Sequence, residues 1–184
     1  LDEIVEALKV FNQKGNRVYF QVGNRDFALN QVFLDKFNGV LLPDIYYLNI
    51  AGHQYRLEHG DALCTDDISY QRFKKIIRNP FLIAFLRRTP LSFRTKLVNG
   101  FRKRSHSDKQ QKSYEIMDVN EQAVLSALTD VDILIHGHTH RPAIHQLQHK
   151  QRIVLGDWRE DHAQILEIDP SSHLQQIKLT DWYY

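Results

Sequence analysis

Residues 131–135 are apolar at every position but Asp132, and they run without a spacer into His136-Gly137-His138-Thr139-His140. A short apolar run of this kind reads as a strand covered on both faces, so the chain needs layers on either side of a sheet. Further strand-like runs lie at residues 17–22, 45–50, 54–58, 144–147, 152–155, 163–168 and 174–179. Helical patterns fill residues 2–10, 66–78, 81–88, 91–104 and 108–128, the last being the longest, with Pro80 and Pro90 as punctuation. The fold class is therefore mixed α/β. In such folds ligands sit on loops at the carboxyl ends of strands.

Three loops fit that position: Gly23-Asn24-Arg25-Asp26, His59-Gly60-Asp61 and Gly137-His138-Thr139-His140. In an extended loop His138 and His140 would project to one side, and Gly137 would let the backbone turn where a Cβ would clash. Imidazole is the commonest side-chain ligand for transition metals, and a neutral Asn oxygen suits a harder ion such as Mn²⁺. Taken singly, His59 can also be a strand-end histidine bonded to backbone, Asn24 a turn former and Arg25 a partner for Asp26. Together the three strand ends make a metal centre the expected site. Arg25 does not titrate in the working range, so beside a metal it would clamp phosphoryl oxygens as a fixed cation.

Charge is distributed unevenly. The net charge of +2 conceals a block, residues 68–107, with no Asp or Glu and eleven of the 24 basic residues. Phe81, Ile83, Phe85, Leu91, Phe93, Leu97 and Phe101 are interleaved with those cations. Such a block calls for an anionic partner, and basic plus apolar character also suits attachment to an anionic bilayer leaflet. With 184 residues, 42% of them hydrophobic, a single domain with a real core is expected. The one cysteine, Cys64, excludes an internal disulfide. No apolar run approaches the roughly 20 residues of a membrane span.

The motifs GNRDF (23–27), HGDALCTDD (59–67), IMDVN (116–120) and HGHTHRP (136–142) resemble, in order and spacing, those of the UDP-2,3-diacylglucosamine hydrolase family of lipid A synthesis, within the calcineurin-like metallophosphoesterases. Arg25 stands where the wider superfamily commonly has His. The resemblance implies one αββα sandwich over residues 1–184, with residues 66–112 as a helical cap over the active site. It implies hydrolysis of the substrate diphosphate by metal-activated water, giving UMP and 2,3-diacylglucosamine 1-phosphate (lipid X), with two Mn²⁺ ions. Asn24, His59 and His138 would hold one ion and His140 the other, with Arg25 and His138 as catalytic residues. Asn24, Arg25, Asp67, Ser105, Lys109, Lys112 and His138 match substrate-contacting positions. Arg102 is added from its place in the basic block. Ser105, Lys109 and Lys112 fall at i, i+4 and i+7, one face of a helix. The expected setting is peripheral, at the cytoplasmic face of a bacterial inner membrane, with no nucleic-acid partner.

The family's opening Asp-x-His motif does not occur in these residues, and Asp61 and Asp157 sit in other motifs. Residues 2–10 read as a helix already in progress, so a preceding segment is expected, and with it the rest of the second ion's ligands. Without that segment little activity is expected. Alternatives are another metal-dependent nucleotide diphosphatase or phosphodiesterase, or a non-catalytic remnant that binds lipid or nucleic acid.

Overall fold

The computed structural model describes residues 2–24, 26–27, 29–90, 92–97, 99–100, 118–169 and 176–183. It divides into two compact units, Leu1–Asp61 with Val124–Tyr184, and Ala62–Ala123.

In the first unit, helix α1 (Asp2–Gln13) opens with Asp2 and Glu3, which favour the positive helix end. Its Val5 packs with Leu34 of α2 (Gln31–Leu34) and with Phe37 of the single 3₁₀ turn that follows. Ile4 and Phe11, also apolar and on the same helix, are exposed. Strand β1 is shorter than the expected 17–22, comprising Tyr19–Phe20 paired in parallel with β2 (Val40–Leu41). Beyond it the Gln21 side-chain amide takes over, donating to the carbonyls of Pro43 (2.8 Å) and Leu57 (3.1 Å).

The main sheet has the order β3-β4-β5-β7-β6. Strands β3 (Ile45–Ile50) and β4 (His53–Glu58) form a hairpin through Ala51-Gly52, both at positive φ, as a tight two-residue turn requires. Strand β5 (Ile133–His136) lies between β4 and β7 (Lys150–Val154), parallel to both, and β6 (Ala143–Leu147) pairs antiparallel with β7. All four residues of β5 are buried, in agreement with the doubly covered reading. On one face Tyr55, Ile133, Ile135 and Ile153 pack with Leu166 and Ile168 of β8 (His162–Asp169) and Leu179 of β9 (Gln176–Tyr183). A sheet-on-sheet core results. By strand alternation Leu134 faces the other way, and it is equally buried. On that second face buried Glu58 is paired to Arg56, Nη2 to Oε1 at 2.7 Å.

The second unit spans residues 62–123, a range that includes 66–112, and residues 101–112 lie outside the described residues. Helix α3 (Ile68–Ile77) is capped by Asp67, whose Oδ1 accepts from the Tyr70 amide at 3.0 Å. Helix α4 (Pro80–Arg87) starts with proline and is capped by Asn79, which accepts from the Phe81 amide at 2.9 Å. Ile68 and Ile76 of α3 are exposed, as are Phe81, Phe85 and Phe93. Residues 92–97 and 99–100 are helical, within the expected 91–104. The ends of the unit are tied together: the Asn120 amide donates to the Leu63 carbonyl at 2.9 Å, and Asn120 Nδ2 donates to the Asp66 carboxylate at 3.0 Å.

The expected helix 108–128 is not continuous. Residues 118–120 are not helical, and α5 runs only from Glu121 to Ala127. Asp118 accepts from the Val119 amide at 2.8 Å and Asn120 Oδ1 from the Ala123 amide at 3.1 Å. Side chains that take backbone N–H groups in this way start a helix rather than continue one. Residues 108–117 of that expectation lie outside the described residues. Among the described residues no helix is long and apolar enough to cross a membrane.

Candidate metal centre

The parallel strands β4, β5 and β7 end side by side. Glu58 is level with His136, and His136 with Val154. The pairing continues past the strand ends, the Gly137 amide donating to the His59 carbonyl at 3.1 Å and the Leu155 amide to the His136 carbonyl at 2.8 Å. Three loops therefore leave one edge of the sheet together, carrying His59, then His138 and His140, then Asp157.

His59 and His138 meet. His138 Nδ1 lies 3.3 Å from His59 Nε2, with the rings edge to face at 5.1 Å between centroids. Two imidazole nitrogens that share one ion at roughly 2.1 Å stand about 3–3.5 Å apart, so this pair has the spacing a common metal needs. The first loop reaches the same place. A Cβ on Gly23 would lie 2.8 Å from His59 Cε1, so only glycine lets the backbone press against that ring. Asp26 closes this loop by accepting from the Gly23 amide at 2.6 Å. Half-buried Asn24 is the residue next to Gly23. Were the Asn24 oxygen to join the two imidazoles, the donor set would fit a divalent transition ion.

The backbone differs from the extended loop expected. His138 and His140 themselves have positive φ, 67° and 54°, and the Thr139 amide donates to the Gly137 carbonyl at 2.8 Å. His138 is thus the centre of a three-residue turn of the uncommon positive-φ kind, the sort of strain that collects at functional sites. Nor is Gly137 the residue that must lack a side chain, since a Cβ there would meet nothing nearer than the His59 carbonyl oxygen at 3.7 Å. That requirement falls on Gly60, with φ 102° and a Cβ position only 2.8 Å from His136 Nδ1.

His140 pairs with Asp157 on the neighbouring loop. Its Nδ1 lies 3.5 Å from Asp157 Oδ2, which also accepts from Arg159 Nε at 3.1 Å. Partial desolvation raises the Asp157 carboxyl pKa, but the Arg159 hydrogen bond, a backbone hydrogen bond and the nearby charges outweigh it and hold the group below its ordinary value. The signal available in the sequence was Gly156-Asp157 straight after a strand, the same pattern that marked His59. Among the described residues no three His, Cys, Asp or Glu side chains gather as one metal-holding group. The histidines therefore come as two pairs, His59 with His138 and His140 with Asp157. Asp67 is placed as the cap of α3. Arg25, Arg102, Ser105, Lys109 and Lys112 lie outside the described residues.

Over 180 residues the chain is 39% identical to the UDP-2,3-diacylglucosamine hydrolase of Haemophilus influenzae (strain PittGG), covering 97% of this chain and 76% of that one. The enzyme of the same name from Haemophilus ducreyi is 41% identical over 92% of this chain and 73% of its own. The one from Tolumonas auensis is 42% identical over 86% and 68%. The chain belongs to the UDP-2,3-diacylglucosamine hydrolase family. No family model matches it. Among solved structures, a Vps29 variant from Entamoeba histolytica overlays 99% of this chain and 89% of its own, at 13% identity and a TM-score of 0.40. Membership in the hydrolase family rests on the sequence relatives, and the mixed α/β fold with its central mixed sheet stands on the strand order itself.

Proposed function

We propose that this member of the family hydrolyses the diphosphate of UDP-2,3-diacylglucosamine to UMP and 2,3-diacylglucosamine 1-phosphate (lipid X), a step of lipid A synthesis, with Mn²⁺ as cofactor. The observation that carries this reading is the 3.3 Å approach of His138 Nδ1 to His59 Nε2 at the carboxyl edge of the sheet. Asn24, His59 and His138 would hold one ion and His140 the other. When bound, such ions supply Lewis-acid activation of water and screening of charge on the diphosphate.

The chain's own side chains do the rest. Arg25, next to Asn24, clamps phosphoryl oxygens with a charge that no working pH removes. The leaving group is a phosphate monoester with a second pKa of about 6, which departs without a proton, so a fixed cation serves better than a general acid. Asp67, Arg102, Ser105, Lys109 and Lys112 bind the phosphorylated sugar head. The helical unit offers cations for that head and, in Phe81, Phe85 and Phe93, apolar surface for acyl chains or for a membrane. With its block of cations, that unit suits peripheral attachment to the anionic cytoplasmic leaflet of an inner membrane.

The test is turnover of UDP-2,3-diacylglucosamine by the whole gene product with Mn²⁺ in ¹⁸O-water. Release of UMP carrying the label, with much slower turnover of UDP-N-acetylglucosamine, is expected. Equal turnover of both would replace this reading with a general nucleotide diphosphatase. Label in the sugar phosphate would move the attack to the other phosphorus.

A further inference from the structure

We propose that Asp157 is a positioning residue for His140, fixing which ring nitrogen that histidine presents to a metal ion. This inference rests on the assignment of His140 as a ligand.

The Asp157 carboxylate faces Nδ1 of His140 across 3.5 Å, on the neighbouring loop of the same sheet edge. An imidazole that gives its Nδ1 proton to a carboxylate has its Nε2 lone pair free on the opposite side of the ring. A metal-ligating histidine usually has such a partner, which sets its tautomer, fixes the plane of the ring and raises its basicity. His140 needs one more than its neighbours do, because its side chain is 55% exposed.

The carboxylate has a partner of its own. Arg159 Nε donates to the same Oδ2 at 3.1 Å, so the oxygen facing His140 is the one the guanidinium holds. The Arg159 amide donates to the His162 carbonyl at 2.8 Å, and Trp158 bridges to Ala163, which ties the loop to the start of β8. Glycine at 156 completes the arrangement, since a Cβ there would fall 2.9 Å from Gln164 Oε1. The acid is therefore set by two strands, β7 before it and β8 after it, independently of the loop that carries His140.

Mn²⁺ binding to the whole gene product, measured by calorimetry and equilibrium dialysis, tests this with Asp157→Asn, Asp157→Glu and His140→Ala. Asp157→Asn, which preserves shape, should weaken one of the two ions by about 10–100-fold. The other ion should bind as before, and Asp157→Glu should restore part of the loss. Activity of the Asn variant should return towards normal at high Mn²⁺ with KM for the nucleotide substrate unchanged. Unchanged affinity for both ions in the Asn variant, while His140→Ala loses one, would overturn the role of Asp157 alone. Unchanged binding in His140→Ala would remove the ligand assignment beneath it. Equal weakening of both ions by Asp157→Asn, or no recovery with Glu, would mean that Asp157 only supports the loop.

Discussion

The candidate ligand residues owe their positions to small features of the backbone beside them. His59 and His138 were legible in the sequence because each follows a strand end and each is an imidazole next to glycine. Which glycine mattered was not legible, since φ and local crowding depend on the neighbouring strand. Gly60→Ala should therefore be the costly substitution, forcing a left-handed φ of 102° on alanine and a clash with His136, whereas Gly137→Ala should be mild. Chemical denaturation should show about 1–3 kcal/mol lost for the first and well under that for the second. Asp157 was only partly legible, for a related reason: Gly156-Asp157 after a strand could be seen, but its partner His140 lies on another loop and only strand register brings them together. In the whole gene product His138→Ala should abolish turnover through loss of metal, read as lost Mn²⁺ binding. Arg25→Lys should retain the metal and lower kcat, because an ammonium does not reproduce a planar two-pronged contact.

Among the elements, β5 was read correctly because its composition leaves little choice: a short run with no polar face has to be covered twice. Residues 118–120 were misread because apolar residues continue through Val119 and Val124, while the side chains of Asp118 and Asn120 take up the backbone amides of Val119 and Ala123. Asn120 serves two purposes, capping α5 with its oxygen and holding Asp66 with its nitrogen. Asn120→Ala should cost about 1–2 kcal/mol in equilibrium unfolding. Asn120→Asp, which retains the cap but repels Asp66, should lie between wild type and alanine. An Asp variant as unstable as the alanine one would show that the hook to Asp66, rather than the cap, is what stabilises this end of the unit.

At the scale of the whole molecule, strand order has a kinetic consequence. The two hairpins of the main sheet, β3–β4 and β6–β7, are local and close within a few residues. The β4–β5 pairing instead joins residues 55–58 to 133–136, across a stretch of chain that contains the entire second unit. Closing so long a loop carries a large entropic cost before any contact rewards it, which makes it the natural slow step. His59 and His138 sit at the two sides of that closure, so their 3.3 Å approach does not exist until it is complete. Refolding followed by far-ultraviolet circular dichroism should therefore run ahead of refolding followed by recovery of Mn²⁺ binding, with coincident traces counting against this order of events. Ions present during refolding would then act late, slowing reopening of the central pairing rather than speeding its formation, and the metal would serve the cell as a clasp on a finished sheet.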